Sequence, residues 1–117
     1  MKKIIIMMLF WSLFIPVDLF AFGAIAIDDN TTDSDPAYGF SIGADTKREA
    51  KRTAMEYCEE YGGENCRVVV WFETCGAVAV SRKYYGYGYG SSKRRAIADA
   101  MEMCGSRHCR LVTAECE

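Results

Sequence analysis

The feature that most constrains this chain is that it repeats itself. Gly23-Ala24-Ile25-Ala26-Ile27-Asp28 matches Gly76-Ala77-Val78-Ala79-Val80-Ser81, and Tyr38-Gly39-Phe40-Ser41-Ile42-Gly43 matches Tyr85-Gly86-Tyr87-Gly88-Tyr89-Gly90. Ala54-Met55-Glu56-Tyr57-Cys58 matches Ala100-Met101-Glu102-Met103-Cys104, and Cys66-Arg67-Val68-Val69 matches Cys109-Arg110-Leu111-Val112. Cys75 and Cys116 then stand in corresponding places at the ends of the two units. Matched blocks in one order define two copies of a unit of about 45 residues, each too small to cover its own apolar faces alone. We take the units as residues 22–75 and 76–117.

Each copy has the same local pattern. The Gly-Ala-Ile/Val block is a short apolar run, as in a strand buried on both faces. The Tyr-Gly block alternates with period two, a second strand. A helix follows. Thr46 caps the first one, with Glu49 three residues on in a capping-box pattern, and Ser91 or Ser92 caps the second. Gly62-Gly63 stops the first helix, since left-handed backbone costs glycine little. A third strand runs from Arg67 to Phe72 in one copy and from Arg110 to Ala114 in the other. The fold class is therefore α+β: two tandem, pseudo-symmetric β-β-α-β repeats. We expect them to form one mostly antiparallel six-stranded sheet with two helices on one face. Along Tyr85–Gly90 the glycines point away from the tyrosines, and a glycine row admits another backbone closely. Ala50, Ala54 and Cys58, with Ala96, Ala100 and Cys104, supply small helix stripes to meet such rows. The copies differ in their connections: residues 28–37 are long and acidic, whereas Ser81–Tyr84 is short and basic.

The N-terminus explains the cysteines. Met1-Lys2-Lys3 precedes an apolar run from Ile4 to Val17, and Ala21 follows as a small residue. This is a secretory signal peptide over residues 1–21, cut after Ala21 or else after Gly23. The run is shorter than the roughly 20 residues that span a bilayer, so no stable membrane anchor remains after cleavage. No cysteine stands at the cut to take a lipid. Removing Lys2, Lys3 and Asp18 from a chain of net charge −2 leaves the exported part at about −3, which gives no bulk pull toward nucleic acid. Six cysteines behind an export signal form three disulfides in an oxidising space, the periplasm or the cell exterior. The repeat favours Cys58–Cys66, Cys104–Cys109 and Cys75–Cys116, the last joining equivalent positions across the pseudo-twofold axis. On loop entropy this last bridge contributes roughly 4 kcal/mol and the short ones about 2 to 2.5 each.

These motifs resemble a known family. Gly-Ala-Ile-Ala near the mature start, the Tyr-Gly-aromatic-Gly strand, an Ala-rich helix ending in Cys and the Cys-Arg-Val-Val strand are similar to the secreted bacterial domains called domain of unknown function 4189. The resemblance covers residues 22–117. It implies export and a disulfide-bonded α+β domain, and it transfers no catalytic residue.

Candidate chemistry is sparse. The one histidine, His108, lies between Arg107 and Cys109 in a tight link, where we expect an exposed turn residue. No Gly-x-Ser-x-Gly elbow or His-Glu-x-x-His helix occurs. The cysteine spacings are wider than the Cys-x-x-Cys pairs of zinc sites, so we assign no metal and no cofactor. Gly86-Tyr87-Gly88-Tyr89-Gly90 lacks the lysine or distant acid of a nucleotide-binding loop. Lys93, Arg94 and Arg95 crowd the start of the second helix, and Lys47, Arg48, Lys51 and Arg52 that of the first. They oppose the helix dipole, which makes Lys93, Arg94 and Arg95 a weak anion-binding candidate. The expected function is an exported, non-catalytic binding module for a protein partner, with Tyr84, Tyr85, Tyr87 and Tyr89 as rigid anchors. A concrete form is an inhibitor or immunity protein against a secreted toxin. The alternatives are an enzyme of unrecognised type with a Tyr/Arg/carboxylate cleft, and a structural envelope protein.

Overall fold

The computed structural model describes residues 21–28 and 36–117. The expected signal peptide, apart from Ala21, and residues 29–35 of the acidic connection lie outside the described residues. The elements are β1 (Phe22–Asp28), β2 (Tyr38–Ala44), α1 (Lys47–Glu60), β3 (Cys66–Phe72), β4 (Cys75–Val80), β5 (Tyr85–Gly90), α2 (Lys93–Cys104) and β6 (Arg110–Cys116). The β-β-α-β order thus occurs twice, in an α+β fold.

The caps act as their chemistry dictates. Thr46 Oγ1 accepts from the Glu49 N–H at 3.1 Å, and Ser92 Oγ, rather than that of Ser91, accepts from the Arg95 N–H at 3.1 Å. Gly62 follows the first helix at φ 101° and Gly105 ends the second at φ 73°, both left-handed.

The strands do not form one sheet. They make two antiparallel three-stranded sheets, ordered β2-β1-β3 and β5-β4-β6, and each helix covers its own sheet. This corrects the single six-stranded sheet with both helices on one face. The reason lies in the central strands, which are apolar on both sides. Ala24 and Ala26 pack against α1, and Ala77 and Ala79 against α2. Ile25, Ile27, Val78 and Val80 point the other way and meet between the sheets, together with Val70 and Phe72. A single sheet with one bare face leaves that branched row in water. Stacking the sheets buries it, giving layers in the order helix, sheet, sheet, helix.

Residue size sorts with the layers. Alanine and glycine face the helices, and branched or aromatic residues face the other sheet. A Cβ on Gly86 would stand 2.2 Å from the Ala100 carbonyl oxygen and 2.3 Å from the Cys104 nitrogen. On Gly39 it would stand 2.3 Å from the Cys58 nitrogen. These obstacles are backbone, so they cannot swing aside. Gly86→Ala is therefore expected to cost about 3 kcal/mol, the upper part of the overpacking range. Gly90→Ala meets only the flexible stem of Arg95, at 2.9 Å, and should cost far less. Urea unfolding of the two variants checks the contrast.

Disulfides join Cys58 to Cys66, Cys104 to Cys109 and Cys75 to Cys116. The first two tie a helix end to the strand that follows. The third does not cross the pseudo-twofold axis, as the repeat suggested. Cys75 opens β4, directly opposite Cys116 on β6, so the bridge lies inside the second sheet. By the Gly23/Gly76 match, Phe22 holds the corresponding place in the first unit. Cys75 thus begins the second unit rather than closing the first.

Candidate functional site

The tyrosines picked out from the sequence go to three different places. Tyr84 is 60% exposed at the base of the β4–β5 turn, where it pairs with Ser81. Tyr85 is half-buried at the edge of the inter-sheet layer, where Arg67 donates to its hydroxyl and stacks 5.1 Å from its ring centre. Tyr87 and Tyr89 line a crevice of about 530 Å³ with Val69, Trp71 and Phe72. Tyr87 belongs partly to the inter-sheet core, while Tyr89 is 62% exposed. Alternation explains the split: the glycines turn toward α2, so the tyrosines of β5 turn toward the neighbouring sheet. Lys93, Arg94 and Arg95 are all exposed on the first turn of α2. Arg95 stands 3.9 Å from Asp99 one helical turn on, and its stem lies over Gly90.

The larger concave surface lies on the first unit, where sequence reasoning placed no site. It is a groove of about 680 Å³ running along β2 and bounded by α1. Tyr38, Phe40 and Ile42 form one flank, and Thr53, Tyr57 and Tyr61 form the other. Each set has a simple origin. Tyr38, Phe40 and Ile42 are alternate residues of one strand, so they share a face. Thr53, Tyr57 and Tyr61 are spaced by four around the end of α1, so they share a stripe. Gly39 lets α1 press onto β2, which brings the two flanks to the same strand edge. Ile42, Tyr57 and Tyr61 are 48, 44 and 73% exposed, a concentration of apolar surface on a small domain.

β2 is also terminal in its sheet, so among the described residues its outer edge has no neighbouring strand. The second unit deals with the matching edge differently. There Met103 occupies the place of Tyr57, and its Sδ accepts the Tyr87 N–H of β5 at 3.4 Å. The end of α1 is acidic: Glu56, Glu59 and Glu60 are exposed, and no basic residue lies in its last turn. Two signals for this site were legible. Tyr38 and Phe40 match Tyr85 and Tyr87 in the repeat, and the 53/57/61 spacing is visible in the chain. Among the described residues no cluster of His, Cys, Asp and Glu is placed to hold a metal ion.

Fold and bridges together define a small disulfide-bonded α+β domain of duplicated β-β-α-β units. Its three bridges suit an oxidising, non-cytoplasmic setting, and among the described residues no helix is long and apolar enough to cross a membrane. The chain belongs to the family Domain of unknown function (DUF4189), whose model matches residues 22–116. It is 33% identical over 84 residues to Protein Rv1269c of Mycobacterium tuberculosis and to Protein Mb1300c of Mycobacterium bovis. Those matches cover 72% of this chain and 61% of each relative. The fold is also similar to the NMR structure of Rv1813c from Mycobacterium tuberculosis, with a TM-score of 0.56 and 25% identity, covering 88% of this chain and 81% of that one.

Proposed function

We propose that the chain is an exported binding module, working in the periplasm or outside the cell, that takes an extended segment of a partner protein along the β2 edge. The observation that carries this reading is the coincidence of an open strand edge with aromatic side chains on both of its flanks. An added strand hydrogen-bonds to the edge through its backbone and sends alternate side chains to the two sides. Here those sides are the Tyr38/Phe40/Ile42 flank and the Thr53/Tyr57/Tyr61 flank. The carboxylates at the end of α1 select a segment with apolar residues in alternation and Lys or Arg beside them. A partner held this way loses the use of that segment, which is how an inhibitor or immunity protein acts.

The test is selection of short random peptides on the disulfide-bonded chain, followed by calorimetry and amide exchange. Selected peptides are expected to be apolar-alternating and basic, and to slow exchange in β2. Tyr57→Ala/Tyr61→Ala should weaken binding by roughly thirtyfold or more, the loss of at least one aromatic anchor worth about 2 kcal/mol. Tyr89→Ala should leave it unchanged. Peptides that bind the double variant as well as the wild type, or that depend on Tyr89 instead, refute the groove.

A further inference from the structure

A third concave site, lined by residues of the second unit, shares no lining residue with the groove. The β4–β5 turn and the loop after α2 meet there around a pocket of about 590 Å³, lined by Arg82, Lys83, Tyr84, Ser106, His108 and Arg110 together with Val80 and Ser81. Among the described residues that line it there is no carboxylate. This is notable in a chain of net charge −2. The same connection in the first unit has the opposite sign, with Asp28, Asp29, Asp33 and Asp35.

Both walls are held in shape. The Ser81 N–H donates to the Tyr84 carbonyl at 2.8 Å, and the Tyr84 N–H donates to Ser81 Oγ at 3.1 Å. This closes the turn and leaves Arg82 and Lys83 at its exposed tip. Opposite, the Cys104–Cys109 bridge spans the loop, and Ser106 Oγ accepts the His108 N–H at 3.0 Å. The Ser106 hydroxyl proton remains to donate elsewhere. Arg110 has a partner of its own, whereas among the described residues Arg82 and Lys83 form no ion pair. The C-terminal end of α2 brings roughly half a negative charge to this end of the unit. That is too little to cancel the cations.

From this placement we infer that the pocket binds a phosphate monoester. Arg82 and Lys83 neutralise a charge near −2 from one wall, and Ser106 donates to a phosphate oxygen from the other. A carboxylate has one charge and two oxygens, and leaves part of this set unused. The volume lies within the roughly 300–1,000 Å³ of small-molecule sites, so there is room for an organic substituent beside the phosphate. The exposed ring of Tyr84 is the surface on which that substituent rests.

The experiment titrates the disulfide-bonded chain at fixed ionic strength with inorganic phosphate and with phenyl phosphate, read by amide chemical shifts and calorimetry. Fixed ionic strength matters because exposed cations are screened. Saturable shifts at residues 81–84 and 106–110 are expected, with phenyl phosphate the tighter ligand. Arg82→Gln/Lys83→Gln should weaken phenyl phosphate roughly tenfold or more, the scale of a lost charge-assisted hydrogen bond, with an unchanged thermal midpoint. Lys93→Gln/Arg94→Gln should not weaken it. A third arm uses neutral-lipid vesicles with and without phosphatidic acid. Vesicle binding that phenyl phosphate displaces means that a lipid headgroup uses the same pocket. Vesicle binding without soluble phosphate binding overturns the inference. So does an affinity that Arg82→Gln/Lys83→Gln leaves intact, or one that falls equally in the α2 variant.

Discussion

Phe72→Ala is expected to lower stability by about 3–5 kcal/mol, the range for emptying a buried aromatic position. In a domain of this size that moves the thermal midpoint down by more than roughly 15 °C. Phe72 is 2% exposed and lies opposite Gly23 on β1. Its ring also reaches the second sheet. A Cβ built on Gly23 would stand 2.4 Å from the ring, and one built on Gly76 would stand 2.2 Å from it. The two matching glycines of the repeat thus form a slot for one aromatic ring. Glycines have no side chain with which to refill the slot, so the cavity cannot collapse and the cost should fall high in the range. Gly76→Ala supplies a second test. In the wild type it collides with the ring and destabilises. In the Phe72→Ala background the methyl group enters the empty slot, and the penalty should vanish or reverse. Thermal unfolding of the four proteins of this cycle measures the coupling. Additive effects would show that Phe72 does not fill the slot.

Replacing Cys75 and Cys116 together with Ala should cost about 4 kcal/mol, against about 2 for the Cys104/Cys109 pair. The difference follows from sequence separation, 41 residues against 5. Structure adds a local reason. The bridge fastens the last strand at the point where the chain end meets both sheets. The Glu117 N–H donates to the Thr74 carbonyl at 2.8 Å, and Glu117 Oε1 accepts the Gly43 N–H of the first sheet at 2.6 Å. Without the bridge, β6 and these contacts should open first. Urea unfolding ranks the pairs, and amide exchange in β6 should speed up before that of β4. Equal losses for the long and short bridges would contradict the ranking.

Some of the site was within reach of the sequence. Tyr57 and Tyr61 stand four apart on a helix whose cap and stop are both legible, and Tyr38 matches Tyr85 in the repeat. In the second unit the tyrosines are denser, at positions 84, 85, 87 and 89. Density does not indicate exposure. Tyr85 and Tyr87 are drawn into the inter-sheet layer by the same alternation that made them conspicuous, and Phe40 packs there too, while Tyr38, Ile42, Tyr57 and Tyr61 of the first unit stay exposed. The basic β4–β5 turn was also visible, but its meeting with Ser106 and His108 was not. Those residues lie at the other end of α2 from Lys93, Arg94 and Arg95.

The chain by itself determined the order of strands and helices, their caps and the small-residue stripes beneath the helices. These depend on residues a few positions apart or on matching blocks, both of which are written directly in the sequence. Tertiary structure alone decided that the apolar central strands lie between a helix and a second sheet, that Cys75 bridges within one sheet, and which aromatic rings reach solvent. A strand apolar on both faces requires two covers but does not say what they are. That choice depends on how faces distant in sequence fit together, as when one phenylalanine ring fills the space left by two glycines 53 positions apart.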